Sequence, residues 1–206
     1  MRQLILKMSM SVDSFVGGPN GEIDWIFKRY DAGATAWTME TLWQTSVHIM
    51  GSRTFQDMAA YWPTSTEPYA APMNAIPKIV FSRSGQLQAA TTQALADAKR
   101  QRTEEAASAA ALSSWSNAEI ASGDLASEIA RLKQQPGKPI LAHGGAGFAR
   151  SLVRHGLVDE FRLLVHPVAL GRGLSLFADL DRPLDLRLVS ATAFDGGAVA
   201  HVYWPA

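Results

Sequence analysis

Residues 139–152, PILAHGGAGFARSL, decide the fold class of this sequence. Residues 139–142 form a short apolar run, which is typical of a buried strand. The strand leads into a glycine-rich turn at 143–147, and the residues that follow through Leu152 and Val153 favour a helix. Glycines let the backbone approach a ligand closely, and the amide groups of a helix N-terminus attract phosphate. The spacing differs from Gly-x-Gly-x-x-Gly and from a Walker loop, so a tight turn without ligand is the alternative.

Strands alternate with helices along most of the chain. Apolar residues recur at every second position in the segment 4–12, which predicts the first strand. The chain ends in two alternating runs, 186–194 and 198–204, joined by an Asp-Gly turn that is typical of a hairpin. Further strands are predicted at 47–50, 78–82, 115–120, 139–142 and 160–170, and helices at 38–45, from about 53 to 61, after Asp124 and after 147. This order predicts an α/β fold with a mainly parallel sheet flanked by helices and an antiparallel C-terminal hairpin.

The length of 206 residues suits one domain spanning 1–206. Residues 64–77 contain three prolines and are predicted to be loop. The alanine-rich stretch at about 86–113 has few large apolar side chains, so we interpret it as a helical or flexible insertion.

Composition excludes several classes of protein. The 19 basic residues are matched by 19 acidic ones, which argues against a nucleic-acid partner. The absence of cysteine removes thiolate chemistry and cysteine-based metal sites, and the five histidines are scattered, so no metal is expected. His166 lies inside a predicted strand, and we interpret it as a core histidine. There is neither a long apolar segment nor a secretory signal, so we expect a cytoplasmic protein without a membrane partner.

Two further strand ends carry hydroxyl and guanidinium groups. Ser52, Arg53 and Thr54 follow the strand at 47–50, and Arg83 stands between serines after the strand at 78–82. Guanidinium groups bind phosphate in a bidentate manner. The alternatives are a helix N-cap for the first segment and a solvated loop for the second. Because ligands of open α/β sheets bind at the carboxyl ends of strands, the three segments together suggest a phosphorylated dinucleotide.

The order of these motifs resembles the dihydrofolate-reductase-like family, which includes the reductase domain of bacterial riboflavin biosynthesis. The resemblance covers nearly the whole chain apart from about 86–113. The segments that carry it are residues 11–15, 24–25, 50–54, 81–84, 143–147, 157–163 and 166–173.

The resemblance implies NADPH as cofactor. It assigns the phosphates to residues 51–54, the adenosine 2′-phosphate to Ser82 and Arg83, and the pyrophosphate and nicotinamide to the glycine turn and the end of the first strand. The implied cofactor-binding residues are Val12, Gly51, Ser52, Arg53, Thr54, Ser82, Arg83, Gly144, Gly145, Ala146 and Gly147.

The resemblance also implies a substrate side. Asp13 matches the aspartate of the family's Ser-x-Asp-Gly segment, although Ser14 replaces the usual glycine. Trp25 matches a tryptophan that precedes the pteridine-binding acid of folate reductases. That acid would fall at Tyr30, with Asp31 next to it. Asp13 and Asp31 are therefore the candidate catalytic carboxylates, which would orient the substrate or help supply a proton. The alternative for both is an ordinary turn or cap aspartate.

These implications predict an NADPH-dependent reductase that transfers hydride to a small heterocyclic substrate. The nearest named chemistry is that of 5-amino-6-(5-phosphoribosylamino)uracil reductase, here expected as a stand-alone enzyme. A dihydrofolate reductase and a non-catalytic NADPH-binding module are the alternatives. The resemblance also suggests a homodimer.

Overall fold

The structure, a computed structural model, describes residues 1–28, 30–87 and 114–206. The chain divides into two compact units. The first consists of Met1–Arg2 and Thr41–Leu141, and the second of Gln3–Glu40 and Ala142–Ala206. Nearly all of the insertion predicted at about 86–113 lies outside the described residues.

The described residues include the following strands and α-helices. The strands are β1 Leu4–Ser11, β2 Phe15–Gly17, β3 Val47–Gly51, β4 Lys78–Phe81, β5 Glu119–Ala121, β6 Ile140–Ala142, β7 Glu160–His166, β8 Leu174–Ser175, β9 Leu186–Ala193 and β10 Val199–Pro205. The helices are α1 Ala32–Trp43, α2 Ser52–Tyr61, α3 Ala70–Ala75, α4 Leu125–Gln134 and α5 Ala146–Arg154, with 3₁₀ turns at Asp24–Phe27 and Trp62–Thr64. No helix among these described residues is both long and apolar enough to cross a membrane.

The first unit is built on strands in the order β5-β4-β3-β6, of which β3, β4 and β5 are parallel. Residues 47–50 of β3 are buried without interruption, as expected for a strand covered on both faces. Phe55 and Ala59, one turn apart on α2, are completely buried. Asp124 caps α4 by accepting a hydrogen bond from the Ser127 amide at 3.0 Å, which confirms the predicted helix start.

The second unit contains the order β1-β7-β10-β9. β1 and β7 are parallel, whereas β10 pairs antiparallel with both β7 and β9. Ala34 of α1 packs with Leu164, Ala198 and Ala200 in one buried cluster. The predicted fold class, mainly parallel with an antiparallel C-terminal hairpin, is therefore confirmed.

Several predicted boundaries were wrong. Helix α1 begins at Ala32 rather than at 38, because Asp31 caps its first turn. Helix α3 lies inside the predicted loop, since a proline is tolerated in the first turn of a helix. Residues 114–116 are helical where a strand was expected, and the strand of that region begins at Glu119. β7 ends at His166, because Pro167 has no amide hydrogen to donate.

Candidate functional site

Two of the predicted phosphate segments lie side by side in the first unit. β3 and β4 are parallel and Gly51 pairs with Phe81, so Ser52 and Ser82 follow at neighbouring strand ends. The N-cap of α2 is Gly51, and no side chain caps this helix. The alternative that Ser52 or Thr54 is the N-cap is therefore wrong. The amide groups of the first helical turn are left for solvent or a ligand.

The serine and the arginine of the second segment differ in what they can offer. Ser82 is buried, and its hydroxyl lies 3.0 Å from the Ser84 hydroxyl and donates to the Gln86 carbonyl at 2.9 Å. It thus stabilises the turn. Arg83 and Arg53 are exposed, and neither guanidinium has a hydrogen-bond or ion-pair partner within the described ranges. The two arginines are the groups available to an anion.

The glycine turn of the second unit, residues 144–147, has a backbone that a ligand could approach closely. Gly145 is the N-cap of α5 with φ +96°, a conformation that favours glycine. A Cβ on Gly144 would lie 3.3 Å from the Met8 methyl, whereas one on Gly147 would meet nothing within 4 Å. No side chain caps α5. Uncapped amides beside open space at Gly147 fit a nucleotide phosphate, and the uncapped start of α2 fits one equally well.

Val12 and Asp13 follow directly after β1, and their side chains have different surroundings. Val12 is apolar yet 59% exposed, while its amide donates to the Val168 carbonyl. The Asp13 carboxylate accepts hydrogen bonds from the amides of Leu170 at 3.0 Å and Gly171 at 2.7 Å. Hydrogen bonds from the Ser11 side chain and these amides lower the pKa of Asp13 to about 2. An ionised carboxylate held in this way positions a loop, and it has no proton to supply near neutral pH.

Ser14, where the resemblance expects a glycine, has a left-handed backbone conformation. Its φ is +68°, a left-handed conformation that is unfavourable for residues with a Cβ. We expect Ser14→Gly to raise the free energy of unfolding by about 0.5–1 kcal/mol, measured by urea denaturation. Ser14→Ala keeps the Cβ and serves as the control. A Ser14→Gly protein no more stable than Ser14→Ala would contradict the expectation.

Trp25 is buried on the second unit and is held in place from two sides. Its indole nitrogen donates to the Glu22 carbonyl at 3.1 Å. Its ring meets the His166 ring edge-on, with centroids 5.6 Å apart. Trp25 and His166 therefore form one packed pair of rings.

Asp31 makes structural hydrogen bonds with both of its oxygens. Oδ1 accepts from the Ala34 amide at 2.9 Å and Oδ2 from the Gly196 amide at 2.6 Å. The bond from Ala34 and that from Gly196 hold the pKa of Asp31 below its ordinary value. Tyr30, at the position where the resemblance expects an acid, is 78% exposed. These contacts match the alternative of a cap aspartate.

Sequence reasoning missed Lys7 and misinterpreted His166. Lys7 is half-buried on the polar face of β1 and has no hydrogen-bond or ion-pair partner among the residues the structure describes, and burial lowers its pKa to about 8. His166 pairs with Ser11, and its buried Nε2 has no hydrogen-bond partner in the described parts of the chain. Burial and the charge of Lys7 lower the pKa of His166 to about 4. The interruption of an apolar strand by Lys7 was the one available signal.

Metal binding receives no support from the described residues. Within them, no three histidine, aspartate or glutamate side chains come together as a group that could hold a metal ion.

Solved structures establish the class of fold. Dihydrofolate reductase from Enterococcus faecalis, complexed with NADP(H) and RAB-propyl, superposes with a TM-score of 0.59 at 11% identity, covering 98% of this chain and 96% of that one. A putative riboflavin biosynthesis protein from Shewanella sp. PV-4 gives a TM-score of 0.68 at 19% identity, covering 99% of both chains. The fold is therefore dihydrofolate-reductase-like.

Sequence comparison gives the family. The profile of the RibD C-terminal domain matches residues 2–200. The uncharacterized protein YyaP of Bacillus subtilis (strain 168) is 30% identical over 202 residues, which cover 98% of this chain and 94% of YyaP. This chain belongs to the RibD C-terminal domain family, and the resemblance inferred from the motifs is confirmed.

Proposed function

We propose that this protein is a reductase that uses NADPH to transfer a hydride to a small heterocyclic acceptor. Its family and its dihydrofolate-reductase-like fold support a reductase-type oxidoreductase. The observation that carries the choice of cofactor is the pairing of Gly51 with Phe81, which brings two segments with exposed arginines to neighbouring strand ends. Such a cluster of cations suits the extra phosphate of NADPH.

Each segment has a distinct role in this proposal. Arg83 binds the 2′-phosphate, and Arg53 with the uncapped amides of α2 binds the other phosphates. The resemblance assigns the pyrophosphate and nicotinamide to the glycine turn and Val12, where Gly147 has open space around it and Val12 is exposed. The cofactor, when bound, supplies the hydride, while the protein groups position the rings and exclude water.

The acceptor that the proposal favours is a pyrimidine-like heterocycle, by analogy with 5-amino-6-(5-phosphoribosylamino)uracil reductase. The riboflavin-related name of the Shewanella protein and the RibD family description support this class. Reduction of dihydrofolate is less well supported, because both carboxylate oxygens of Asp31 accept hydrogen bonds from backbone amides. We therefore expect no dihydrofolate-dependent oxidation of NADPH.

The cofactor proposal is tested by titrating tryptophan fluorescence with NADPH and NADH. Arg83→Ala should lower the affinity for NADPH about 10- to 100-fold, as expected for the loss of a charge-assisted phosphate contact. The affinity for NADH should remain almost unchanged. Arg53→Ala should weaken both nucleotides alike, because both carry the pyrophosphate. Arg182→Ala, an exposed arginine in the second unit, is the matched control.

Three results would count against the proposal. If neither nucleotide binds, the protein does not use this cofactor. If wild type binds both equally, Arg83 has no role at a 2′-phosphate. If NADPH binds but no heterocyclic acceptor oxidises it, the alternative of a non-catalytic module is favoured.

A further inference from the structure

A small cavity in the second unit lies beside Trp25 and is not assigned by the cofactor proposal. Its volume is about 140 Å³. This is below the ~300–1,000 Å³ of pockets for drug-sized ligands, so the cavity suits a single ring. It is lined by Trp25, Ile26, Lys28, His166, Pro167 and Val168.

His166, one of the lining residues, has an unpaired polar atom. Its Nε2 is buried and has no hydrogen-bond partner within the described residues. Buried polar groups are nearly always paired, and leaving one unpaired is unfavourable. A ligand group that reaches Nε2 would remove this penalty. The edge-on contact with Trp25 fixes the orientation of the imidazole.

The charges around the cavity are mainly positive. Lys28 lies in its lining, and Lys7 is close enough for its charge to influence His166. A larger cavity of about 590 Å³ shares Trp25 and Lys28, and Arg172 lines it.

Among the described residues, the acidic groups lie at the larger cavity. Glu22 and Asp24 line the larger cavity and are absent from the smaller one, as far as the described residues show. Glu22 is occupied by the backbone and side-chain nitrogens of Asn20, at 2.9 and 2.7 Å. A ring in the smaller cavity therefore meets a neutral imidazole and an ammonium group.

From this juxtaposition we propose that the Trp25–His166 cavity is a charge-selective ring subsite, with His166 and Lys28 as its specificity determinants. It binds planar rings that carry carbonyl oxygens or a negative charge and rejects rings that carry a positive charge. Lys28 attracts the anionic group, and Nε2 of His166 bonds to a polar ring atom. The inference deepens the proposed function by stating which heterocycles the protein accepts.

Three pyrimidines of similar size test this selectivity: orotate, uracil and 2,4-diaminopyrimidine. At about pH 6, His166 is neutral because its pKa is about 4, and the diamino ring is protonated. Binding is followed by tryptophan fluorescence and by NMR of the His166 ring. We expect orotate to bind at least about tenfold more tightly than 2,4-diaminopyrimidine, which corresponds to one charge contact.

Variants separate the two determinants. Lys28→Met should lower the affinity for orotate about tenfold and leave the affinity for uracil unchanged, because only orotate carries the charge. His166→Phe keeps a ring against Trp25 but has no nitrogen, so it should weaken both orotate and uracil. Lys138→Met, an exposed lysine of the first unit, is the control.

The inference is overturned if 2,4-diaminopyrimidine binds as tightly as orotate, or if orotate leaves the His166 signals unmoved. NADPH titrated into the same samples keeps the two proposals distinguishable. If NADPH binds but the protein does not discriminate among the pyrimidines, the subsite proposal is wrong and the cofactor proposal stands. Selective orotate binding without NADPH binding defeats the proposed cofactor and leaves the subsite standing.

Discussion

Raising the pH from 7 to 9 is expected to increase the free energy of unfolding, with about 2 kcal/mol of the increase due to Lys78. Lys78 is 2% exposed, and its Nζ donates to the Ile76 carbonyl at 2.6 Å and the Ser114 hydroxyl at 2.7 Å. The ammonium lies 4.4 Å from the centre of the Trp115 ring. Burial lowers the pKa of Lys78 from 10.5 to about 7.

The direction follows from proton binding. Between about pH 7 and 10.5, the unfolded chain holds a proton on Lys78 that the folded protein has released. Stability therefore rises with pH through this window and falls as the pH drops back toward 7. Lys7 acts in the same direction above its pKa of about 8.

Urea denaturation at pH 7, 8 and 9 measures the effect. Lys78→Met retains most of the length of the side chain without the charge. Between pH 7 and 9, the free energy of unfolding of this variant should therefore increase by about 2 kcal/mol less than that of wild type. Lys138→Met should keep the wild-type dependence. Equal slopes for wild type and Lys78→Met would show that Lys78 titrates alike in the folded and unfolded chains.

Replacing Asp31 with alanine is expected to lower the free energy of unfolding by about 3 kcal/mol. The loss has two parts: an N-cap is worth about 0.5–2 kcal/mol, and a hydrogen bond to a charged group about 1.5–3 kcal/mol. The first bond holds the start of α1 at Ala34, and the second holds the turn between β9 and β10 at Gly196. Chemical denaturation gives the stability, and hydrogen exchange at the Gly196 amide reports on the second bond.

Two further variants separate structure from chemistry at this position. Asp57→Ala removes an exposed aspartate from α2 and should change stability little. Asp31→Asn retains a good capping side chain and should keep most of the stability. If Asp31→Asn folds normally yet loses reductase activity, Asp31 has the catalytic role that the resemblance implied. If activity follows stability alone, its role is structural.

Interactions between residues close in sequence were predictable from the chain. Alternation identified β1, the Asp-Gly pair identified the turn between β9 and β10, and Asp124 identified the start of α4. These signals depend on backbone conformation and on partners a few residues away. The family motifs were predictable for the same reason, because each of them lies within one strand end and the turn that follows it.

The roles of Asp13 and Asp31 required the tertiary structure. Asp13 accepts from an amide 157 positions away, and Asp31 from one 165 positions away. Local composition carries no record of such partners, so the sequence alone could not show that both aspartates bind backbone amides.

Strand alternation and the order of the turn motifs were enough to identify an α/β reductase-like family from the chain. The pairing of β3 with β4 and of β1 with β7 decided which side chains became neighbours at the strand ends. Burial then decided their chemistry, since desolvation favours the neutral form of His166, a residue that lines a cavity and has an unpaired buried nitrogen among the described residues. Register and desolvation are properties of the folded chain, and for that reason only the fold could reveal them.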